Sequence, residues 1–239
     1  MNVLFTSANH PITKFCEEKS RFKILAPEID FSQIAEVLGT FKRSKIAAVI
    51  HIDTIGAKGD WAKRSILYKN LQTCCSAYRV PKLIVVSDEL KWLSSGENDK
   101  ITTLLQFPVL YGAGVPQKDN YIMTAVFKAM RGADMSIEAD KVFSALYIED
   151  ALRVLGLMLK RDTPKGAYCV SPPDPATKIG VIKALKYASN KLLPYEVKSR
   201  VTAPDEVLDG SSFAEAFPDF KFIGLKSGIG RTYKALTEG

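Results

Sequence analysis

The sequence has few cysteines and no long apolar run. Four cysteines occur among 239 residues, two of them adjacent, and their spacing matches no zinc motif. This pattern favours reduced, buried thiols over a disulfide framework. No apolar run approaches the roughly 18 to 20 residues that span a bilayer, and the first residues lack the basic start and apolar core of a signal peptide. We therefore expect a cytoplasmic protein without a membrane partner or a metal site.

The charge balance is basic, with 33 Lys and Arg against 26 Asp and Glu and a formal net charge of +7. The densest basic spots are residues 42–45 and 58–64, and we interpret both as solvated surface. A basic surface also suits an anionic small ligand. No nucleic-acid-binding motif and no ladder of aromatic and basic residues accompanies the charge, so nucleic acid is not expected as a partner.

Short apolar runs alternate with helical segments along the first half of the chain. We predict strands at 2–6, 22–25, 46–52 and 83–87, and helices from Pro11 onward and over 31–38 and 61–78. A strand with an almost continuous apolar composition, such as 46–52, is typical of the interior of a parallel sheet. The alternation predicts an α/β fold with a parallel sheet, and its ligands are expected beyond the carboxyl ends of the strands.

One stretch, LQFPVLYGAG at 105–114, divides the chain. We interpret its apolar part as a buried strand that breaks into a loop at Gly112, because glycine tolerates backbone angles that other residues resist. Pro108 is unusual inside a strand and indicates an edge or an irregular end. The stretch resembles the strand end LRFFNVYGPG of the extended short-chain dehydrogenase/reductases, the NAD-dependent epimerase/dehydratase family that works on nucleotide sugars. In that family the chain leaves the cofactor sheet here and starts the substrate lobe.

Further segments follow the family's order. Residues 47–51 resemble its VIHLAA strand end, 66–87 its NVxGTxxLLEAA…VKRFVYxSS segment, 143–151 its RDFVYVDDVA, and 207–233 its closing LDSSKAREELGW…EGLRRTY. The resemblance implies a Rossmann-like doubly wound parallel sheet with a smaller C-terminal substrate lobe. It places the dinucleotide-binding domain at 1–110 and 139–165, and the substrate lobe at 111–138 and 166–239.

The resemblance also implies NAD or NADP as cofactor and a nucleotide sugar, or another anionic small molecule, as ligand. The cofactor-binding candidates are Thr6, Ser7, Asn9, Asp30, Asp53, Asn70 and Ser87. The substrate-binding candidates are Glu89, Val109 and Tyr111, where Val109 replaces the family asparagine that commonly touches the sugar nucleotide.

The phosphate-binding turn departs from the family pattern. Residues 6–12 read TSANHPI, without the glycines that let a pyrophosphate approach the backbone at the helix start. The hydroxyls of Thr6 and Ser7 can still donate to a phosphate, and Asn9 tolerates left-handed backbone angles. Pro11, however, removes one donor near the helix start. We therefore expect retention of the dinucleotide to fail here.

The catalytic helix is also missing. The family carries a Tyr, with a Lys four residues later, between the strand ending at Ser87 and the next strand, but residues 88–102 contain no tyrosine and are too few for that loop and helix. The Tyr-x-x-x-Lys match at 78–82 contains a proline, and the one at 187–191 lies in the substrate lobe, so no catalytic residue is assigned. Without this helix, the family's four-helix-bundle dimer should be absent or rebuilt.

Two local interpretations concern the second half. The motif at 143–151 predicts that Asp150 caps a helix, and Gly228-Ile229-Gly230 is interpreted as a plain turn at a helix start.

Three functions remain open. The first, which we favour, is a degenerate family member that binds its ligand without Tyr/Lys hydride chemistry. The second is an active NAD(P)-dependent epimerase, dehydratase or reductase whose acid/base is Asp88, Glu89 or Tyr111. The third is a non-catalytic scaffold or regulatory subunit.

Overall fold

The computed structural model describes residues 1–53, 61–87, 101–137, 140–160, 163–198 and 205–238. Its strands are β1 Asn2–Phe5, β2 Lys23–Leu25, β3 Ala48–Ile52, β4 Leu83–Ser87, β5 Thr102–Gln106, β6 Val109–Tyr111, β7 Met135–Ile137, β8 Val142–Phe143, β9 Ala145–Tyr147, β10 Ala167–Cys169, β11 Ala176–Thr177 and β12 Tyr195–Val197. Its helices are α1 Pro11–Lys19, α2 Ile34–Arg43, α3 Trp61–Ala77, α4 Tyr121–Arg131, α5 Ile148–Met158, α6 Lys178–Ser189, α7 Ser211–Ala216 and α8 Leu225–Glu238. The chain divides into a first unit, 1–107 with 152–168, and a second unit, 108–151 with 169–239.

The first unit is built on a six-stranded sheet with the order β10-β5-β4-β3-β1-β2. The pairs β1–β2, β1–β3, β3–β4 and β4–β5 are all parallel. The strand order reverses at β1, because β2 pairs on one side of it and β3 on the other. This doubly wound arrangement confirms the predicted Rossmann-like fold class.

The core of the first unit lies between the sheet and two of its helices. Every residue of β3 and of β4 is buried, as their mostly apolar composition predicts. Side chains of α2 and α3, including Val37 and Leu71, pack against the strands in one apolar cluster. The adjacent Cys74 and Cys75 belong to this cluster as free, buried thiols, which confirms the reduced-cysteine interpretation.

The strand predicted before Gly112 is interrupted at Pro108, the residue that indicated an irregular end. Strand β5 ends at Gln106 in the central sheet, whereas β6 begins at Val109 and pairs in parallel with β9 in a separate sheet. Pro108 lies between them and has no N–H for a ladder hydrogen bond, so pairing with β4 cannot continue through it. The two units meet along the chain at this break, between Phe107 and Pro108.

The second unit is a group of helices with small sheets. Helices α4, α6 and α8 pack on one another, and β6/β9, β7/β12 and β8/β11 form two-stranded pieces. Helix α4 is capped at both ends: the Asn120 side chain accepts from the Met123 N–H at its start, and Gly132 ends it with a φ of 65°.

Two local predictions in this unit are wrong. Helix α5 begins at Ile148, so Asp150 lies inside its first turn, and the buried carboxylate instead accepts from the Ile223 N–H at 2.8 Å. Gly228 and Gly230 lie within α8 rather than in a turn. The reason for Gly228 is packing, because a Cβ there would lie 2.3 Å from the Tyr111 hydroxyl oxygen.

Among the described residues, no helix combines the length and apolarity needed to cross a membrane. Across the same ranges, no three His, Cys, Asp or Glu side chains group in a way that could hold a metal ion.

Candidate functional site at the carboxyl edge of the sheet

The carboxyl ends of β1, β3 and β4 meet at one edge of the sheet in the first unit. In open α/β sheets the ligand crevice lies beyond this edge, where the strand order reverses. Three predicted site residues follow these strands directly: Thr6 after β1, Asp53 after β3, and Ser87 at the end of β4. The structure brings these three to the same edge, as the parallel topology requires.

Thr6 is held by the neighbouring strand. Its Oγ1 lies 2.7 Å from His51 Nδ1 in a hydrogen bond and also accepts from the Ile52 N–H at 3.2 Å. His51 is buried, and that burial, with the nearby Arg64 charge, lowers its pKa from 6.5 to about 3. The imidazole is therefore neutral at physiological pH, and within the described ranges its Nε2 has no hydrogen-bond partner.

Asp53 forms a buried ion pair with Arg64. The distance from Arg64 Nη2 to Asp53 Oδ2 is 2.8 Å, and the two side chains are 2% and 0% exposed. The Ser87 hydroxyl donates to the same carboxylate oxygen at 3.4 Å. The Asp53 carboxylate is thus already neutralised by the Arg64 guanidinium of the same chain.

The interpretation of Arg64 as part of a solvated basic spot is wrong. A carboxylate placed at the end of an entirely buried strand needs a counter-charge, because an unpaired buried charge is very costly. Arg64 also shares one helical face with Leu67 and Leu71, which belong to the core. The sequence signal for this buried ion pair was the helical spacing of Arg64 with Leu67 and Leu71, together with Asp53 at the end of a buried strand.

The turn after β1 forms several hydrogen bonds within itself. His10 is the N-cap of α1, and its Nδ1 accepts from the Ile12 N–H at 3.2 Å, while Pro11, the first helical residue, has no N–H to offer. The Thr13 hydroxyl donates to the Ser7 carbonyl at 2.6 Å. Burial lowers the His10 pKa to about 4, so the cap is a neutral acceptor. Sequence reasoning did not identify His10, although a polar residue directly before a helical proline is a capping signal.

This turn does not fit a dinucleotide pyrophosphate. Such a group requires unoccupied N–H donors at the helix start and glycines that allow close backbone approach. Here the Ile12 donor is used by His10, Ser7 and His10 are half-buried side chains within the turn, and Asn9 is exposed beside them.

Asp30 and Asn70 are brought together elsewhere in the first unit. The exposed Asp30 carboxylate accepts from the Ser32 N–H at 2.9 Å and from its hydroxyl at 2.7 Å, and these bonds lower the Asp30 pKa. The Asn70 amide donates to the carbonyls of Phe31 and Ser32 at 3.2 and 2.9 Å. Through these hydrogen bonds Asn70 connects α3 to the loop after β2.

The substrate-binding candidates lie in the second unit or outside the described residues. Val109 is exposed on β6, whereas Tyr111 is 1% exposed. Burial and the nearby Asp150 carboxylate raise the Tyr111 pKa well above its ordinary value, so the hydroxyl stays protonated and is a poor general base. Asp88 and Glu89, with the segment expected to lack the catalytic helix, lie outside the described residues.

Comparison with known proteins finds solved structures that share the fold of this chain. No protein-family model matches the sequence, and no curated protein matches it. Among solved structures, the GDP-L-fucose synthetase from Naegleria fowleri bound to NADP is 15% identical with a TM-score of 0.80, over 99% of this chain and 93% of that one. The UDP-N-acetylglucosamine 4-epimerase from Bacillus cereus is 16% identical with a TM-score of 0.78, over 100% of both chains.

A third structure is the UDP-glucose 4-epimerase from Thermotoga maritima with UDP-glucose, which is 16% identical with a TM-score of 0.72, over 100% of this chain and 99% of that one. At these identities the likeness establishes the backbone architecture. The chain therefore has the fold of the extended short-chain dehydrogenase/reductases, as the resemblance of its motifs implied.

Proposed function

We propose that this protein is a degenerate member of the nucleotide-sugar epimerase/dehydratase family that binds a nucleotide sugar, or a similar anionic small molecule, without Tyr/Lys hydride chemistry. Support for the ligand class comes from the fold it shares with enzymes named for UDP- and GDP-sugars and from its net charge of +7. Support for the loss of chemistry comes from residues 88–102, which contain no tyrosine. On this proposal the family's four-helix-bundle dimer is absent or rebuilt.

The observation that carries the proposal is the self-capped turn after β1. A pyrophosphate bound there would have to displace the His10 imidazole from the Ile12 N–H, a bond of 3.2 Å, and Pro11 offers no replacement donor. The helix terminus would thus gain less from a bound anion, because the Ile12 N–H is already used and Pro11 has no N–H to donate.

The Asp53–Arg64 pair adds an electrostatic argument. A phosphate is stabilised by a cation that lacks another anion, but Arg64 is neutralised by Asp53 at 2.8 Å. A second anion beside this pair meets the carboxylate as well as the guanidinium. The charges of Asp53 and Arg64 therefore neutralise each other, and this edge of the sheet has little net attraction for the phosphates of a dinucleotide.

The described side chains near this edge also supply no strong acid or base. His51 is neutral, and its pKa of about 3 makes it a weak proton acceptor at pH 7. Positioned acid–base catalysis typically contributes about 10² to 10⁴-fold. We therefore expect family-type turnover to be reduced by at least this factor.

Thermal denaturation with separate ligands tests the proposal. NAD(H), NADP(H), UDP-glucose and a GDP-sugar are each added to the purified chain. A ligand at about 100 times its dissociation constant adds about 2.7 kcal/mol, which raises the Tm of a chain of this size by roughly 5 to 11 °C. We expect a shift with a nucleotide sugar and none with a dinucleotide.

Each of the other outcomes contradicts the proposal. A shift with NAD(H) or NADP(H) would mean that the first turn rearranges to bind phosphate, and would restore the active-enzyme hypothesis. No shift with any nucleotide sugar would favour the scaffold hypothesis. As a matched control, His10→Asn keeps a capping side chain and should leave the pattern of shifts unchanged.

A further inference from the structure

A cavity of about 670 Å³ lies within the second unit. Its walls come from α7, from the segment 217–225 that follows α7, and from the stretches 171–176 and 207–210. This volume falls within the range of about 300 to 1,000 Å³ that is typical of small-molecule sites. The residues considered so far assign it no role.

One wall of the cavity is aromatic. Phe213 is buried, and the ring centroids of Phe217, Phe220 and Phe222 lie 4.9, 5.3 and 5.8 Å from its own. The three surrounding rings are only half-buried although they pack on one another, so part of each ring surface faces the cavity. Such surfaces favour a planar ring, which can stack or meet them edge to face.

Tyr111 adds a hydrogen-bond donor to the lining. Its side chain is 1% exposed, and across the described ranges no hydrogen bond reaches its hydroxyl. The pKa of the group is raised by burial, so the proton is retained at physiological pH. The hydroxyl can therefore donate a hydrogen bond to a ligand that carries an acceptor oxygen.

The rim carries both signs of charge. Asp174 and Asp209 contribute carboxylates, and the Asp209 pKa is lowered by its bonds to Ser211, so that group is ionised. Lys221 contributes a cation that donates to the Pro218 carbonyl. The two carboxylates repel an anion that enters the cavity, and Lys221 repels a cation. The mixed charge of the rim therefore favours an uncharged ligand.

We propose that this cavity is a binding site for an uncharged planar ring compound with a carbonyl or ether oxygen. The ring packs against the four phenylalanines, and the oxygen accepts a hydrogen bond from the Tyr111 hydroxyl. The ligand differs in charge from the anionic ligand of the proposed function, so probes of different charge distinguish the two proposals. The two proposals therefore stand or fall separately.

Ligand-observed NMR titration tests the site with three probes. Acetophenone has the ring and the carbonyl, ethylbenzene has a similar shape without an acceptor, and benzoate carries a negative charge. We expect acetophenone to bind more tightly than ethylbenzene, and benzoate more weakly than either. Ala214, exposed on α7 and part of the lining, is replaced in Ala214→Trp to fill the cavity, and this variant should lose the binding of both uncharged probes.

Tyr111→Phe isolates the hydrogen bond, because it retains the ring packed on Gly228. One neutral hydrogen bond corresponds to about a three- to tenfold change in affinity, so acetophenone binding should weaken by that factor while ethylbenzene binding stays the same. Tyr187→Phe, an exposed tyrosine outside this lining, is the control and should change neither. The thermal midpoint of each variant is measured to establish that it folds.

Three results would overturn the proposal. They are the absence of binding by acetophenone at millimolar concentration, binding that survives a folded Ala214→Trp variant, and a Tyr111→Phe effect that is equal for acetophenone and ethylbenzene. The expected selective loss supports it.

Discussion

The buried Asp53–Arg64 pair makes a quantitative prediction about stability. Asp53→Asn keeps the size of the side chain but removes its charge, which leaves the Arg64 guanidinium, 2% exposed, beside a neutral amide. Breaking a buried ion pair from one side typically costs about 3 to 5 kcal/mol, because the remaining charge is desolvated without compensation. We expect Asp53→Asn to lower the free energy of unfolding by about that amount.

The chain offers a matched control. Arg231 and Glu149 lie at the same N–O distance of 2.8 Å, but their side chains are 53% and 38% exposed. Solvent screens such a pair, so Glu149→Gln should cost only about 0 to 1 kcal/mol. The contrast between the two variants measures the effect of burial at constant geometry.

Urea titration followed by far-UV circular dichroism provides the free energies of unfolding. A double variant, Asp53→Leu with Arg64→Met, replaces both charges with apolar groups and should be neutral or more stable by about 1 to 4 kcal/mol. The reasoning is refuted if Asp53→Asn costs no more than Glu149→Gln, or if the double variant loses as much stability as the single one.

Three further predictions concern other buried groups. The pKa values of His10 and His51, about 4 and 3 when folded, rise to about 6.5 on unfolding, so stability is complete above pH 6.5 and falls as the pH drops towards 4. At pH 5 each histidine should cost about 2 kcal/mol, measured by urea titration at several pH values; a flat profile from pH 7 to 5 would contradict this. Gly228→Ala places a Cβ 2.3 Å from the Tyr111 hydroxyl oxygen and should cost about 1 to 3 kcal/mol, and Tyr111→Phe in the same chain should restore part of the loss if that contact is the cause. Burial raises the pKa of the Cys16 thiol to about 12, so Ellman's reagent at pH 8 should label Cys16 far more slowly in the native protein than in urea, and equal rates would show that the thiol is accessible.

Local sequence patterns determined the architecture of the first unit. The apolar runs at β3 and β4 need cover on both faces, and the helical segments between them provide it, so the alternation alone implies a parallel sheet. The topology then places whatever follows each strand at one edge. For this reason Thr6, Asp53 and Ser87 could be assigned to a common site before their contacts were known.

What those residues do at the edge was decided only by the tertiary structure. The sequence contains a basic spot at Lys63 and Arg64, but only the packing of α3 on the sheet turns Arg64 inward to meet Asp53. Likewise, Asn70 matches a family position, yet its amide is used to hold the 31–32 loop. Each partner lies tens of residues away, and pairing over such distances depends on how whole elements dock.

The same distinction holds in the second unit. The sequence of α8 shows two glycines that suit a turn or a helix equally, and the helix forms because Gly228 admits the Tyr111 ring at a close approach. The strand predicted before Gly112 is interrupted at Pro108, whose missing N–H the sequence shows, whereas the pairing of β6 with β9 beyond it depends on the folded chain. Composition and periodicity determine which residues are buried, whereas the partners of buried polar groups are determined by contacts that only the folded chain makes.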